Sequence, residues 1–274
     1  MSSQSPIGVF DSGLGGLTVL KEIVKQLPGH DFIYLGDNAR APYGPRDFET
    51  VYQYTLQAVQ WLFDQGCPLV ILACNTASAK ALRTIQQKNL PLMDSSKRVL
   101  GVIRPTTEVI GDYTETNHIG ILGTKGTVES GSYVIEIQKS FPDVTVYQQA
   151  CPSWVELVEL GEHLTPKAVE PVKTCLDALL QQCEGIDTIL LGCTHYPLLL
   201  PVIRKLVNPA VQIISQGEIV AESLVFYLKR HPEMAQRLSN SGTIRFFTTG
   251  DIEKFGHAAG IFWGQEVNAS KASL

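Results

Sequence analysis

The chain has 274 residues, with 22 basic against 27 acidic side chains and a formal net charge of −5. Hydrophobic residues make up 44%, enough for a packed core, while 18% charged residues are too few for a disordered chain. The length suits two small domains, the mild acidity argues against nucleic acid as main partner, and no apolar run approaches the ~20 residues of a membrane span.

The first six residues show neither the charged start nor the apolar stretch of an export signal. A cytoplasmic location with reduced thiols is therefore expected. Residues 7–10 form a short apolar run that stops at Asp11-Ser-Gly-Leu-Gly-Gly16. A helix should follow, with Leu17, Leu20, Ile23, Val24 and Leu27 on one face, ended by Pro28 and Gly29. Residues 31–36 read as a strand, 37–45 as a loop and 47–65 as a longer helix. Residues 69–73 are apolar throughout, a buried strand ending at Cys74, Asn75 and Thr76.

The scheme then recurs. Residues 118–122 predict a strand ending in Gly123-Thr-Lys-Gly-Thr127, followed by a helix to about 140 and a strand at 144–147. A helix around 166–182 precedes a buried strand at 188–192, which ends in Cys193, Thr194 and His195. One more strand at 211–214, a helix through 228 and a strand at 243–247 complete the pattern. Strands alternating with helices predict an α/β fold of mostly parallel sheets covered on both faces. The two halves resemble copies, so the chain reads as two pseudo-duplicated α/β domains with an active site in the cleft between them. The first would span 1–98 plus 211–274, and the second 99–210. Parallel sheets bind ligands at the carboxyl ends of their strands, which puts Cys74 and Cys193 at binding edges.

Six cysteines in a chain of this length are too sparse for a disulfide scaffold. Cys67, Cys151, Cys175 and Cys183 lack a matched polar sequel and are expected to pack in cores. No two cysteines lie within five residues, so a metal site is not expected; Cys193 and His195 would point apart in an extended segment. A cysteine hydrolase could use Cys193 with His195, but would leave the matching Cys74 unexplained. Two thiols across a cleft suit removal of a proton from one face of a carbon and delivery to the other. Taken alone, Asp11 and Ser12 could cap a helix, and Gly13, Gly15 and Gly16 could mark a phosphate loop, although the Lys-Ser/Thr ending of such a loop is absent. Tyr43 and Gly44 could be a mere turn, His195 a structural histidine and Glu159 a solvated helix face.

Four motifs also resemble the bacterial glutamate racemase family: Asp11-Ser-Gly-Leu-Gly-Gly16, Asp37-Asn-Ala-Arg-Ala-Pro-Tyr-Gly44, Ala73-Cys-Asn-Thr-Ala-Ser78 and Gly192-Cys-Thr-His-Tyr-Pro197. They occur in order over roughly residues 6–220. The resemblance implies a cofactor-independent racemase that interconverts L- and D-glutamate and supplies the D-isomer for peptidoglycan, as a cytoplasmic homodimer. It implies that Cys74 takes the α-proton from D-glutamate and Cys193 from L-glutamate, with Asp11 beside the first thiol and His195 and Glu159 beside the second. Ser12, Tyr43, Gly44, Asn75, Thr76 and Thr194, together with Asp11 and His195, would contact the substrate. The alternatives are an aspartate racemase, or a non-catalytic protein that binds an amino acid or DNA gyrase. The chain departs from the family pattern at Asn38, at residues 101–107, around Trp154 and Glu156, and at Ser215-Gln-Gly-Glu218, where an Asp/Asn-Ser pair is usual.

Overall fold

In the computed structural model, residues 5–274 are described; most of the stretch read for an export signal lies outside the described residues. Two wholly parallel sheets organise the chain. The first contains β1 (Ile7–Asp11), β2 (Phe32–Gly36), β3 (Leu69–Leu72), β4 (Arg98–Gly101), and, from the second sheet's far side in sequence, two strands near the C-terminus. The second contains β5 (His118–Gly123), β6 (Thr145–Ala150), β7 (Thr188–Gly192) and β8 (Gln212–Ser215). The late strands of the first sheet are β9 (Ile244–Thr248) and β10 (Ala269–Lys271), giving the orders β10-β9-β2-β1-β3-β4 and β6-β5-β7-β8.

The all-apolar stretches of β1, β2 and β3 are buried along their whole length because helices cover both faces of the sheet. Helix Leu17–Gln26 turns Leu17, Val19, Leu20 and Ile23 inward. Helix Phe48–Asp64 starts where the Asp47 carboxylate accepts the Thr50 N–H at 2.8 Å. Equivalent strands do equivalent work: β1 and β3 are neighbours in the first sheet, and β5 and β7 in the second. The loops after these four strands begin at Ser12, Ala73, Thr124 and Cys193.

The sheets correct the boundaries expected near 98 and 210. β4 pairs in parallel with β3 and is the edge of the first sheet, while β8 pairs with β7 and closes the second. The chain therefore crosses between sheets after Gly101 and again after Ser215. In both places the last edge strand is completed before the chain leaves. Helix Val169–Leu180 is shorter than expected, preceded by a 3-10 turn at Pro166–Ala168. Helix Ile252–Trp263 and β10 were not anticipated. Among the described residues, no helix is long and apolar enough to cross a membrane. All six cysteines are free thiols, and Cys67, Cys151 and Cys175 lie buried.

Candidate active site

The two cysteines singled out by their contexts sit at the carboxyl ends of the central strands of different sheets. Cys74 is 5% exposed and Cys193 6%. Cys74 occupies the position before helix Asn75–Lys80, and its sulfur accepts the Ala77 N–H at 3.4 Å. Its thiol lies 3.6 Å from the Ser12 hydroxyl. Burial, with the nearby Asp11 carboxyl, pushes the Cys74 thiol up to about 12, and the charge of Cys193 adds to the same effect. The two sulfurs thus belong to one electrostatic neighbourhood.

Asp11 ends β1 and is fully buried, which raises its carboxyl above the usual range. One carboxylate oxygen accepts the Gly13 N–H at 2.9 Å, and the other lies 3.4 Å from the Thr194 hydroxyl of the second half. Thr194 lies 3.5 Å from His195 Nδ1, and His195 Nε2 is 3.1 Å from Glu159 Oε1. Residues expected as two separate aids are therefore one linked chain, running from Asp11 through Thr194 and His195 to Glu159. Burial disfavours the His195 imidazolium, but contacts with Cys193 and Glu159 outweigh it and raise the imidazole to about 10. The extended segment in which Cys193 and His195 would point apart does not form. Strand β7 stops at Gly192 and the backbone bends, so the imidazole folds back to the neighbouring sulfur.

Thr76 faces the second half, with its hydroxyl 2.9 Å from that of Thr124 and 3.4 Å from that of Thr127. Asn75 reaches Tyr133 of the second half. Gly44 is placed against Thr124, and its carbonyl accepts the Gly126 N–H at 3.0 Å. Tyr43 is fully buried against Phe10 and Tyr54, and its hydroxyl donates to Asp37 at 2.5 Å rather than to either thiol. Asp37 also accepts from Arg40 and Thr249, so Tyr43 braces the loop that carries Gly44.

Sequence reasoning missed Thr124, Thr127, Tyr133 and Gln216. The first two had a signal, since Gly123-Thr-Lys-Gly-Thr127 follows β5 as Asp11-Ser-Gly follows β1. Gln216 had only the departure from the family pattern at 215–218 to mark it, and Tyr133 had nothing. Among the described residues, no group of three or more His, Cys, Asp or Glu side chains could hold a metal ion.

Two parallel α/β sheets each end a strand at a buried thiol, and the hydrogen-bonded line from Asp11 to Glu159 joins strand ends of the two sheets. Residues 7–224 match the Asp/Glu/hydantoin racemase family. Similar proteins include the glutamate racemase of Ruegeria sp. TM1040, 42% identical over 97% of this chain and 99% of that protein. Another is the glutamate racemase of Bacillus cereus, 42% identical over 99% and 97%. In three dimensions the chain resembles glutamate racemase isoform RacE1 of Bacillus anthracis, with TM-score 0.89, 36% identity and coverage of 99% and 98%. It also resembles the Francisella tularensis glutamate racemase solved in complex with D-glutamate, with TM-score 0.86, 29% identity and coverage of 100% and 98%. The Picrophilus torridus aspartate racemase shares the fold at TM-score 0.55 and 17% identity. The chain belongs to the Asp/Glu/hydantoin racemase family, on its glutamate racemase branch.

Proposed function

We infer that the protein is a cofactor-independent glutamate racemase working by two thiols on opposite faces of Cα. The observation that carries the reading is the pair Cys74 and Cys193, one at a strand end of each sheet, with Asp11, near Cys74, reaching Thr194 beside Cys193 at 3.4 Å. One sulfur begins as thiolate and the other as thiol. The thiolate takes the α-proton, leaving its electron pair on carbon, and the thiol returns a proton from the far side. Each turnover therefore leaves the two sulfurs with exchanged protonation.

The α-proton is far less acidic than a thiol, so the developing carbanion must be stabilised by fixed donors in a site closed to water. Ser12, Thr76 and Thr194, with Thr124 across the cleft, are suitable donors to the substrate's carboxylates as charge develops, and Asn75 is a suitable donor that holds a carboxylate equally before and during proton transfer. A substrate ammonium group brings positive charge beside the sulfurs and favours the thiolate that the empty, buried site disfavours. Asp11 serves the Cys74 side, and His195, held by Glu159, serves the Cys193 side. The two halves, with crossovers after Gly101 and Ser215, act as lobes that close on the substrate. In the cell this activity would supply D-glutamate to peptidoglycan from a cytoplasmic homodimer, as the family resemblance implies.

Circular dichroism of L- and D-glutamate tests the activity, and aspartate tests the rival substrate. Because the equilibrium constant between enantiomers is unity, kcat/KM must stay equal in both directions for any variant. Solvent deuterium exchange breaks that symmetry. Cys74→Ser is expected to lose α-proton exchange mainly from D-glutamate, and Cys193→Ser mainly from L-glutamate. Each should lower racemisation by about 10³-fold, the scale of a lost acid–base group. Equal, mild losses of exchange from both enantiomers would rule out the two-base assignment.

A further inference from the structure

Asn75 is next to Cys74 and buried, and its side chain is the start of a hydrogen-bonded line that runs away from the thiols. Tyr133, fully buried on helix Ser132–Ser140 of the second half, has its hydroxyl 2.5 Å from Asn75 Oδ1. Gln216 Nε2 lies 2.7 Å from that same hydroxyl, 3.0 Å from Thr106 Oγ1 and 3.2 Å from the Val102 carbonyl. Gln216 opens helix Gln216–Arg230, where the chain leaves the second sheet. Val102 and Thr106 stand where it leaves the first. The line therefore joins a residue beside one thiol to both crossovers.

Donor and acceptor counting fixes its direction. The Val102 carbonyl can only accept, so the Gln216 atom facing it is the amide nitrogen; of the two protons there, one is directed to the Tyr133 oxygen, the nearest acceptor at 2.7 Å, which therefore accepts. The single phenolic proton is then available for Asn75, which must present its carbonyl oxygen. That leaves Asn75 Nδ2 with its two protons, and this atom is buried without a protein partner. An unpaired buried donor is destabilising, a penalty that an incoming acceptor would relieve. The acceptor that belongs beside Cys74 is a carboxylate oxygen of the substrate.

We propose that Tyr133 and Gln216 are positioning residues: they hold the Asn75 amide in the one orientation that offers its N–H pair to the substrate carboxylate. The proposal rests on the glutamate racemase reading. Neither side chain touches substrate, and each acts through Asn75.

Tyr133→Phe keeps the ring and removes the only proton that Asn75 Oδ1 receives. Gln216→Glu keeps the shape and reverses the line, because a carboxylate accepts from Tyr133. Tyr133 must then accept from Asn75 Nδ2, which turns the amide oxygen toward the substrate. Steady-state kinetics in both directions, with thermal melts of the same samples, read the result. KM is expected to rise about tenfold for Tyr133→Phe and further for Gln216→Glu, with kcat within threefold of the unaltered enzyme. Loss of uniform substrate binding has that signature, and a merely structural role does not. Unchanged KM in Tyr133→Phe, or a fall in kcat at unchanged KM, overturns the proposal. Should Gln216→Glu fail to fold, the more conservative Tyr133→Phe decides by itself. An unaltered protein that does not racemise glutamate overturns the functional reading and this inference with it, whereas an active one with an unmoved KM overturns the inference alone.

Discussion

Gly15 shows how a single missing side chain shapes the site. A Cβ built there would meet Thr194 Oγ1 at 2.2 Å and His195 Nδ1 at 2.5 Å, both from the opposite half. Only glycine lets the loop after β1 approach the loop after β7 this closely, and the contact from Asp11 to Thr194 depends on that approach. Gly15→Ala is expected to lower kcat/KM about 100-fold while leaving the melting temperature within a few degrees, since it parts the two loops and leaves the sheets intact. Gly13→Ala, whose Cβ would meet nothing nearer than 3.6 Å, should lose far less. Equal kinetic losses in the two variants would refute the steric argument. His195 adds a pH dependence at the same scale. Its folded value of about 10 lies above the ordinary 6.5, so the fold holds this proton more tightly than the unfolded chain does. The resulting stability is complete below pH 6.5 and is lost as pH rises through about 10. Cys74 contributes a second loss only from about pH 9 to 12, and Cys175, held below its ordinary 9 by its contact with Cys151, works in the opposite sense, so over the interval from pH 7 to 9 the comparison with a His195 variant isolates the histidine. In that interval the melting temperature of the unaltered protein should fall by several degrees, and His195→Gln should flatten the fall.

Single elements are held in place by groups that their own sequence does not advertise. Asp31 immediately precedes β2 and gathers the strand that returns from the far end of the chain. Its Oδ1 accepts from the Ser241 N–H at 3.1 Å, the Ser241 hydroxyl at 2.7 Å and the Thr243 N–H at 2.8 Å. Burial alone would raise the carboxyl, but these donors win and hold it at about 2. A depressed folded value means that its stabilisation is present above pH 3.8 and lost as pH falls through 2. Asp31→Asn should remove about 2 kcal/mol from the folded state at neutral pH and flatten the acid limb of urea-denaturation stability between pH 4 and 2. What could be read beforehand follows the same division between local and distant causes. Strands β1, β2, β3, β5 and β7 were legible because covering helices force long apolar runs on them, interrupted only at their ends by Asp11, His118 and Thr188. β4 begins with exposed Arg98, and β10 is only Ala-Ser-Lys, so neither edge strand carries a hydrophobic run. β8 was legible as a strand, but its sheet was not, because membership is settled by pairing with β7 rather than by its own residues. The thiols and their flanking polar residues stood out through duplication. Tyr133 and Gln216 did not, since their roles exist only once three distant segments meet at Asn75.

At the scale of the whole molecule, one apolar cluster runs through both halves, from Ile7 and Leu17 to Leu122 and Trp154, while the loops that carry the thiols meet through hydrogen bonds, several of them neutral. The Gly126 N–H donates to the Gly44 carbonyl at 3.0 Å, the Thr18 hydroxyl donates to the Thr194 carbonyl at 3.0 Å, and the hydroxyls of Thr76 and Thr124 meet at 2.9 Å. Each such bond contributes about 1 kcal/mol net, so separating the loops is a far smaller perturbation than unfolding either sheet. Glutamate reaching two thiols that are about 95% covered requires that separation, and a bound substrate adds contacts to both sides at once. The amide of Gly126 is a natural reporter, because its acceptor lies in the other half while the amides of β5 are bonded within their own sheet. In hydrogen exchange of the unliganded enzyme, Gly126 should exchange at least about tenfold faster than the interior amides of β5. Saturation with D-glutamate should slow Gly126 by a similar factor and leave β5 unaffected. Protection at Gly126 equal to that of β5 with and without glutamate would mean that the halves do not part, and the substrate would need another route to the sulfurs.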